Sequence, residues 1–497
     1  MDSETDQLRI FFLPFISAGH MIPMVEEARL FAKHGVDVTV IITQANAALI
    51  HNNIDRDFRA GHRIRTHAIR FPSAEVGLPE GIESLSTITS MEMMGSIRQA
   101  LKILQQTIEQ LLYDGRPDCI VADMFYPWTL EVANKLGIPR LAFRGCSYFS
   151  LCAEYYVRVC EPHKHCSVDS NYDVVSLRGL PHKIDMLMSQ LPDWSRKVTD
   201  FTDFMEVMTG AEEKSYGMLM NSFSELESDY EEYFKTTMGL RAWSVGPISL
   251  WVNKNVPDKA QRYIHNTNDN KEYEIVSWLN SKEDNSVLYV SFGSMTNLSV
   301  TQIKEIAYGL EASGHPFIWA VKKIESKELY CEEAFPEGFD ERMSESKNGV
   351  IIKGWAPQVV ILEHRAIGGM VTHCGWNSIL ECVNAGLPMI TWPVFAEQFY
   401  NERFLIDVVG IGVSMGVKEW SDFGQEPKEV VSREEVEKAV KVLMGGGEEV
   451  NELRKRASKL RDAAKKAVEI GGSSHVNLIA LIDELKSLKN IRNVCID

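Results

Sequence analysis

The chain has 497 residues, 45% of them hydrophobic and 24% charged, which is neither a disordered nor a collagen-like composition. That length is enough for two cores of roughly 200–250 residues each. A formal net charge of −17 argues against a nucleic-acid partner, which needs Lys and Arg against phosphates.

The chain opens on MDSETDQ, acidic and short, so no secretory signal is expected. No stretch approaches the ~18 apolar residues of a membrane span. Nine cysteines in scattered spacing read as reduced thiols, and a cytoplasmic location is expected.

The first half alternates apolar strands with helices. Strands are predicted over Leu8–Phe15, Val36–Ile42, Cys119–Ala122 and Pro139–Phe143. Helices are predicted over Met21–His34 and Leu130–Leu136. This pattern implies a parallel, doubly wound sheet. Asp55-Arg56-Asp57 has the D-x-D form that some transferases use to hold a cation, but it follows a helical stretch and reads as solvated surface. Cys160, His163, His165 and Cys166 do not have zinc-site spacing and read as a surface loop.

Residues Asn253 to Glu274 are rich in Asn, Lys and Asp and read as a linker or surface loop. A second alternation follows. Strands are predicted over Ser286–Ser291, Phe317–Val321, Val350–Lys353, Gly369–Thr372 and Pro388–Trp392. Helices are predicted over Thr301–Ala312, Ser378–Asn384 and Glu397–Val409. From Ser432 onward the chain is helical and charged, and its last helix, near Val476–Leu488, carries Leu478, Leu481 and Leu485 at helical spacing. Two such domains, residues 1–250 and 251–475 with a final helix over 476–497, enclose a cleft where the strands' carboxyl ends bind ligands.

The densest motif runs from Trp355 to Gln398: WAPQVVILEHRAIGGMVTHCGWNSILECVNAGLPMITWPVFAEQ. Gly375 lies between a strand and a helix, so the backbone can approach a phosphate and the helix start can offer free N–H groups. Asn377 and Ser378 can donate to phosphate oxygens, and His373 can add a proton or cation to a pyrophosphate leaving group.

This 44-residue segment resembles the donor box of plant family 1 UDP-sugar glycosyltransferases, and the likeness extends over the rest of the chain. The resemblance implies the GT-B fold: two Rossmann-like α/β domains facing across a cleft, with the C-terminal helix packing back on the first. It also implies roles for individual residues. Trp355 would stack on uracil, the Ala356 backbone and Gln358 would read the uridine edge and ribose, and Glu381 would accept the ribose hydroxyls. His373, Asn377, Ser378 and Ser294 would hold the diphosphate. Trp376, Glu397 and Gln398 would face the sugar. Glucose is the usual donor sugar of members ending the box in Gln.

The loop PFISAGHMIP places His20 at a strand's carboxyl end, where an imidazole can take an acceptor proton. Asp123, ending C-I-V-A-D, is the matching carboxylate partner, with Asp118 the runner-up. The implied reaction is an inverting transfer with no metal or other cofactor. Arg144 stands where the family often has an aromatic residue before Ser or Thr, near the sugar's far end. It either pairs with the carboxylate of UDP-glucuronic acid or, as preferred here, forms a structural ion pair. UDP-galactose and UDP-xylose also stay open as donors.

The regions Met91–Met94, Tyr148–Val159 and Leu191–Met208 are rich in Met, Tyr and Phe, which suits a lipophilic acceptor. The whole-chain resemblance is nearest to enzymes of triterpenoids and their saponins, with flavonoids and phenolics second. A monomer is expected. An epimerase or dehydrogenase would need G-x-G-x-x-G after the first strand, which F-I-S-A-G-H-M lacks. A nucleotide-sugar-binding protein without turnover would not need both His20 and Asp123. A transferase to protein or polysaccharide is disfavoured by the absence of signal and membrane segments.

Overall fold

The computed structural model describes residues 7–88, 91–165, 172–253, 269–321, 334–421 and 429–496. The strands are β1 (Arg9–Leu13), β2 (Asp37–Thr43), β3 (Ile64–Ile69), β4 (Cys119–Asp123), β5 (Arg140–Phe143), β6 (Val174–Ser176), β7 (Asp185–Leu187), β8 (Gly217–Met220) and β9 (Ala242–Ser244) in the first half. The second half has β10 (Val287–Ser291), β11 (Phe317–Val321), β12 (Gly349–Lys353), β13 (Ile367–Thr372), β14 (Met389–Thr391) and β15 (Gly412–Ser414). The first sheet has the order β3-β2-β1-β4-β5-β8-β9 and the second β12-β11-β10-β13-β14-β15. The strand pairs in both sheets are parallel, while β6 and β7 form a separate antiparallel pair.

The central strands are nearly continuous apolar runs because helices cover both faces of a parallel sheet. β1, β4 and β10 are buried along almost their whole length. In both sheets the strand order reverses next to the first strand, β1 or β10, which opens a crevice at the strands' carboxyl ends. The two crevices face each other, so this is the GT-B architecture.

The final helix, Ser473–Ile496, follows the second sheet in sequence but packs on the first. Its Leu478, Leu481, Ile482 and Leu485 are buried with Phe12, Val38 and Trp243 of the first sheet. Asn477 Nδ2 donates to Ser244 O at 3.1 Å, and Lys489 Nζ to Gln7 O at 2.6 Å. Asp118, at the start of β4, is ion-paired by Lys489 at 3.2 Å and by Arg492. It therefore sits at the opposite end of β4 from Asp123 and serves the helix, not a base.

Three readings are corrected. Asp57 is not solvated surface: it lies in the helix Gln44–Arg59, buried, and accepts from Arg29 Nε at 2.6 Å. Cys160 ends the helix Tyr148–Cys160 and His163 and His165 lie in the 3₁₀ turn Pro162–His165, so these residues are not a plain loop. Cys166 lies outside the described residues. The segment read as a linker from Asn253 to Glu274 is largely outside them too, but its end is helical, since a helix spans Asp269–Asn280.

Candidate active site

All the predicted site residues except Asp123 line one cleft of about 2090 Å³ between the two sheets. Drug-sized ligands occupy roughly 300–1000 Å³, so this cleft has room for two substrates side by side.

On the first-sheet side, His20 lies in the first turn of the helix Ala18–Lys33, which starts just after β1. The ring is 24% exposed, and its Nδ1 meets Asp123 Oδ2 at 2.8 Å. Asp123 ends β4, is fully buried, and also accepts from Phe125 N at 3.1 Å. Burial works to lower the imidazole pKa. The charge of Asp123 and its hydrogen bond, aided by Glu397, outweigh burial and raise it above the ordinary value. With Asp123 accepting from Nδ1–H, the neutral tautomer keeps its Nε2 lone pair for a proton.

Aromatic rings wall the space beside His20. Phe15 stacks on Phe125 with centroids 4.3 Å apart, and Phe125 lies 5.4 Å from His20. Phe204 extends the stack at 6.2 Å, and Trp194 packs against Trp420 of the second half at 5.1 Å. The predicted Leu191–Met208 region thus supplies Trp194, Phe201, Phe204 and Met205 to the lining, and the long helix Met91–Gly115 supplies Met94 and Leu101. Tyr148–Val159 does not behave as predicted. Tyr148, Phe149 and Leu151 are buried in the core, and only Glu154 of that stretch lines the cleft.

On the second-sheet side, β13 ends at Thr372 and a tight turn leads into the helix Trp376–Ala385. Cys374 takes a left-handed φ of 64°, a conformation that costs about 1–3 kcal/mol for a non-glycine residue and is retained where the surrounding structure demands it. The N-cap is Gly375, which has no side chain to cap the helix, so the first N–H groups remain open to an anion. A Cβ on Gly375 would come within 2.5 Å of the His373 ring, and one on Gly293 within 2.7 Å. Both glycines are therefore needed for His373 to lie between the two turns.

Burial pushes the His373 pKa down to about 4, so at neutral pH the unliganded imidazole is uncharged. In that state it can still offer an N–H to a phosphate oxygen.

Trp355 is 50% exposed and presents an open ring to the cleft. The Ala356 carbonyl accepts from Gln358 N at 2.8 Å. Gln358 is fully engaged. Its Nε2 donates to Glu381 Oε2 at 2.8 Å and to Ser378 Oγ at 3.2 Å, and its Oε1 accepts from Tyr289 at 3.2 Å. Its side chain positions Glu381 and Ser378. Ser294 lines the cleft in the turn after β10.

Asn377 Nδ2 donates to Gly19 O at 2.7 Å, across the cleft and next to His20. Trp376 is buried, and its Nε1 donates to Asn221 O at 2.8 Å, which ties the two halves together. Its indole does not stand open to a sugar.

Ala396, with φ 51°, turns the chain so that Glu397 and Gln398 begin the helix Gln398–Arg403. Gln398 Oε1 accepts from Val394 N at 2.9 Å and Phe395 N at 3.1 Å, which fixes this loop. Glu397 accepts from Asn401 Nδ2 at 3.3 Å, and burial raises its pKa. Asn401 also donates to Cys374 O at 2.9 Å and so links both ligand-facing turns. Sequence reading missed Asn401; its only signal is a position one helical turn after Gln398.

Arg144 forms the structural ion pair preferred above, with Glu154 and with Glu212 at 3.4 Å. Among the described residues, no group of three His, Cys, Asp or Glu side chains could hold a metal ion. No helix among them is long and apolar enough to cross a membrane.

Comparison with known proteins places this geometry. Residues 230–452 match the family model described as "UDP-glucoronosyl and UDP-glucosyl transferase". The soyasapogenol B glucuronide galactosyltransferase of Glycine max is 49% identical, over 98% of this chain and 98% of that protein. The crystal structure of Glycyrrhiza uralensis UGT73P12 complexed with glycyrrhetinic acid 3-O-monoglucuronide is 48% identical, with a TM-score of 0.92, covering 99% of this chain and 98% of the other. That of Medicago truncatula UGT71G1 complexed with UDP-glucose is 26% identical, with a TM-score of 0.77, covering 98% and 100%. The chain belongs to the UDP-glycosyltransferase family and is a UDP-sugar-dependent glycosyltransferase of the plant, GT-B type.

Proposed function

We infer that the protein transfers one hexose, glucose first among them, from a UDP-hexose to a hydroxyl or carboxyl of a triterpenoid or triterpenoid saponin. The observation that carries this reading is the His20–Asp123 pair, set against an aromatic wall on one side of a cleft whose other side holds Trp355, Glu381 and an uncapped helix start. The acceptor class is supported by the Glycine max and Glycyrrhiza relatives, whose acceptor and bound ligand are triterpenoid glucuronides.

In this reading the nucleotide lies on residues of the 251–475 domain. Trp355 stacks on uracil, and Glu381, oriented by Gln358, accepts from the ribose hydroxyls. The diphosphate meets the N–H groups of Trp376 and its neighbours, with Ser294, Ser378 and His373 donating. The acceptor lies on the 1–250 domain, its hydroxyl against His20.

His20 Nε2 takes the hydroxyl proton as the acceptor oxygen bonds to the anomeric carbon. The bond from that carbon to the UDP oxygen breaks on the opposite face, and UDP leaves with the electron pair. Asp123 holds the resulting imidazolium, and the helix start meets the charge growing on UDP. No step calls for a metal ion. One chain supplies every group, so a monomer suffices. The six free cysteines among the described residues suit the reducing cytosol.

The test is to incubate purified protein, with EDTA, with UDP-glucose or UDP-galactose and a triterpenoid, a saponin and a flavonoid panel. A mass gain of one hexose on a triterpenoid or its glycoside is expected. Transfer confined to flavonoids would overturn the acceptor class, and loss of activity with EDTA would overturn the metal-free chemistry.

A further inference from the structure

Arg144 closes one end of the cleft, just after β5. Its guanidinium is 7% exposed and committed to carboxylates: Nη2 donates to Glu154 Oε2, and Nη1 to Glu212 Oε2 at 3.4 Å. Glu212 is buried and absent from the cleft lining, whereas Arg144, Glu154, Glu397 and Gln398 all line it. The charges of Glu154, Arg144 and His20 all act on Glu397, so these groups share one pocket. Arg140 also faces Glu212, so Arg144 is left with Glu154 and Glu397 as the two carboxylates that line the cleft beside it. Glu154 Oε1 makes no hydrogen bond among the described residues, so it is available as an acceptor.

We propose that Glu154, held in place by Arg144, selects the donor sugar by accepting from a hydroxyl of a neutral hexose and repelling the carboxylate of a uronic acid donor. This rests on the reading that Glu397 and Gln398 border the sugar. Arg144 cannot serve a uronate without leaving two carboxylates unpaired in a nearly dry site, which is costly. A pentose lacks the hydroxymethyl group of a hexose and leaves a carboxylate oxygen without its partner. UDP-glucose and UDP-galactose are therefore the fitting donors, and UDP-glucuronic acid is excluded by like charge.

The experiment measures binding of UDP, UDP-glucose, UDP-galactose, UDP-glucuronic acid and UDP-xylose to the full chain by titration calorimetry. The wild type is expected to bind a UDP-hexose at least about tenfold more tightly than UDP-glucuronic acid. Glu154→Gln should narrow that ratio by about tenfold while leaving UDP affinity unchanged. Glu154→Asp keeps the charge and should keep the discrimination. Equal wild-type affinity for UDP-glucose and UDP-glucuronic acid overturns the proposal, as does an unchanged ratio in Glu154→Gln. If Glu154→Gln does not fold, the wild-type ratio and Glu154→Asp still decide. Failure of the underlying functional reading looks different: UDP itself would not bind.

Discussion

As the proposed base His20 must be neutral, and its pKa is raised: burial lowers it, but the charge and hydrogen bond of Asp123, with Glu397, together outweigh burial. Activity should therefore fall as pH drops through that raised pKa, because protonation removes the base. Asp123→Asn takes away the charge that raises it. The acidic limb of the kcat/KM profile should then shift to lower pH, and kcat should drop by about 10²-fold or more as the ring loses its orientation. An unmoved acidic limb would show that another group controls the titration.

Both members of the pair were legible in the sequence: His20, in the first turn of the helix after β1, and Asp123, at the end of β4, come together because β1 and β4 are neighbours. The state of His373 was not legible. Its low pKa comes from burial between two glycine turns that lie about 80 residues apart, Gly293 and Gly375. Glu154 was also invisible: an acidic residue among Tyr and Cys in a helix gives no sign that it reaches Arg144, although Arg144 itself signalled a missing partner.

At the scale of elements, most of the apolar strands were readable, the edge strand β12 among them, while β3, β8, β9 and β15 were not. β3 lies at a sheet edge with three polar residues in a row, Arg65, Thr66 and His67, and β9 and β15 have three residues each, too few for a periodic signal. Tyr148–Val159 misled because a buried helix and an aromatic ligand wall share the same composition; only the contact of Tyr148 with Ser244 at 3.0 Å reveals a core role.

The last helix was visible from its leucine spacing, and its docking on the first sheet explains that spacing. Leu481 is fully buried there. Leu481→Ala should lower unfolding stability by about 2–5 kcal/mol, read from a urea transition. A loss below about 1 kcal/mol would mean that the helix is not part of the core's cooperative unit.

In the proposed function the two chemistries stand on separate sheets, and several hydrogen bonds join the halves. The Trp376–Asn221, Asn377–Gly19 and Ser147–Asn401 hydrogen bonds cross between the halves, at 2.8, 2.7 and 2.9 Å. In the proposed mechanism the Asn377 bond runs from the helix start that would face the leaving group to Gly19, the residue beside the proposed base. Loading of the donor side and placement of the base are thereby mechanically adjacent, although the residues lie in opposite halves of the chain.

The most direct test of this arrangement compares wild type with His20→Ala, measuring kcat for hexose transfer to a triterpenoid alongside the Kd for the UDP-hexose. The predicted result is a fall in kcat of at least about 10²-fold with donor affinity unchanged, because the base and the nucleotide site stand on different sheets. Near-normal turnover by His20→Ala would contradict the account, since the acceptor proton would then be leaving by another route.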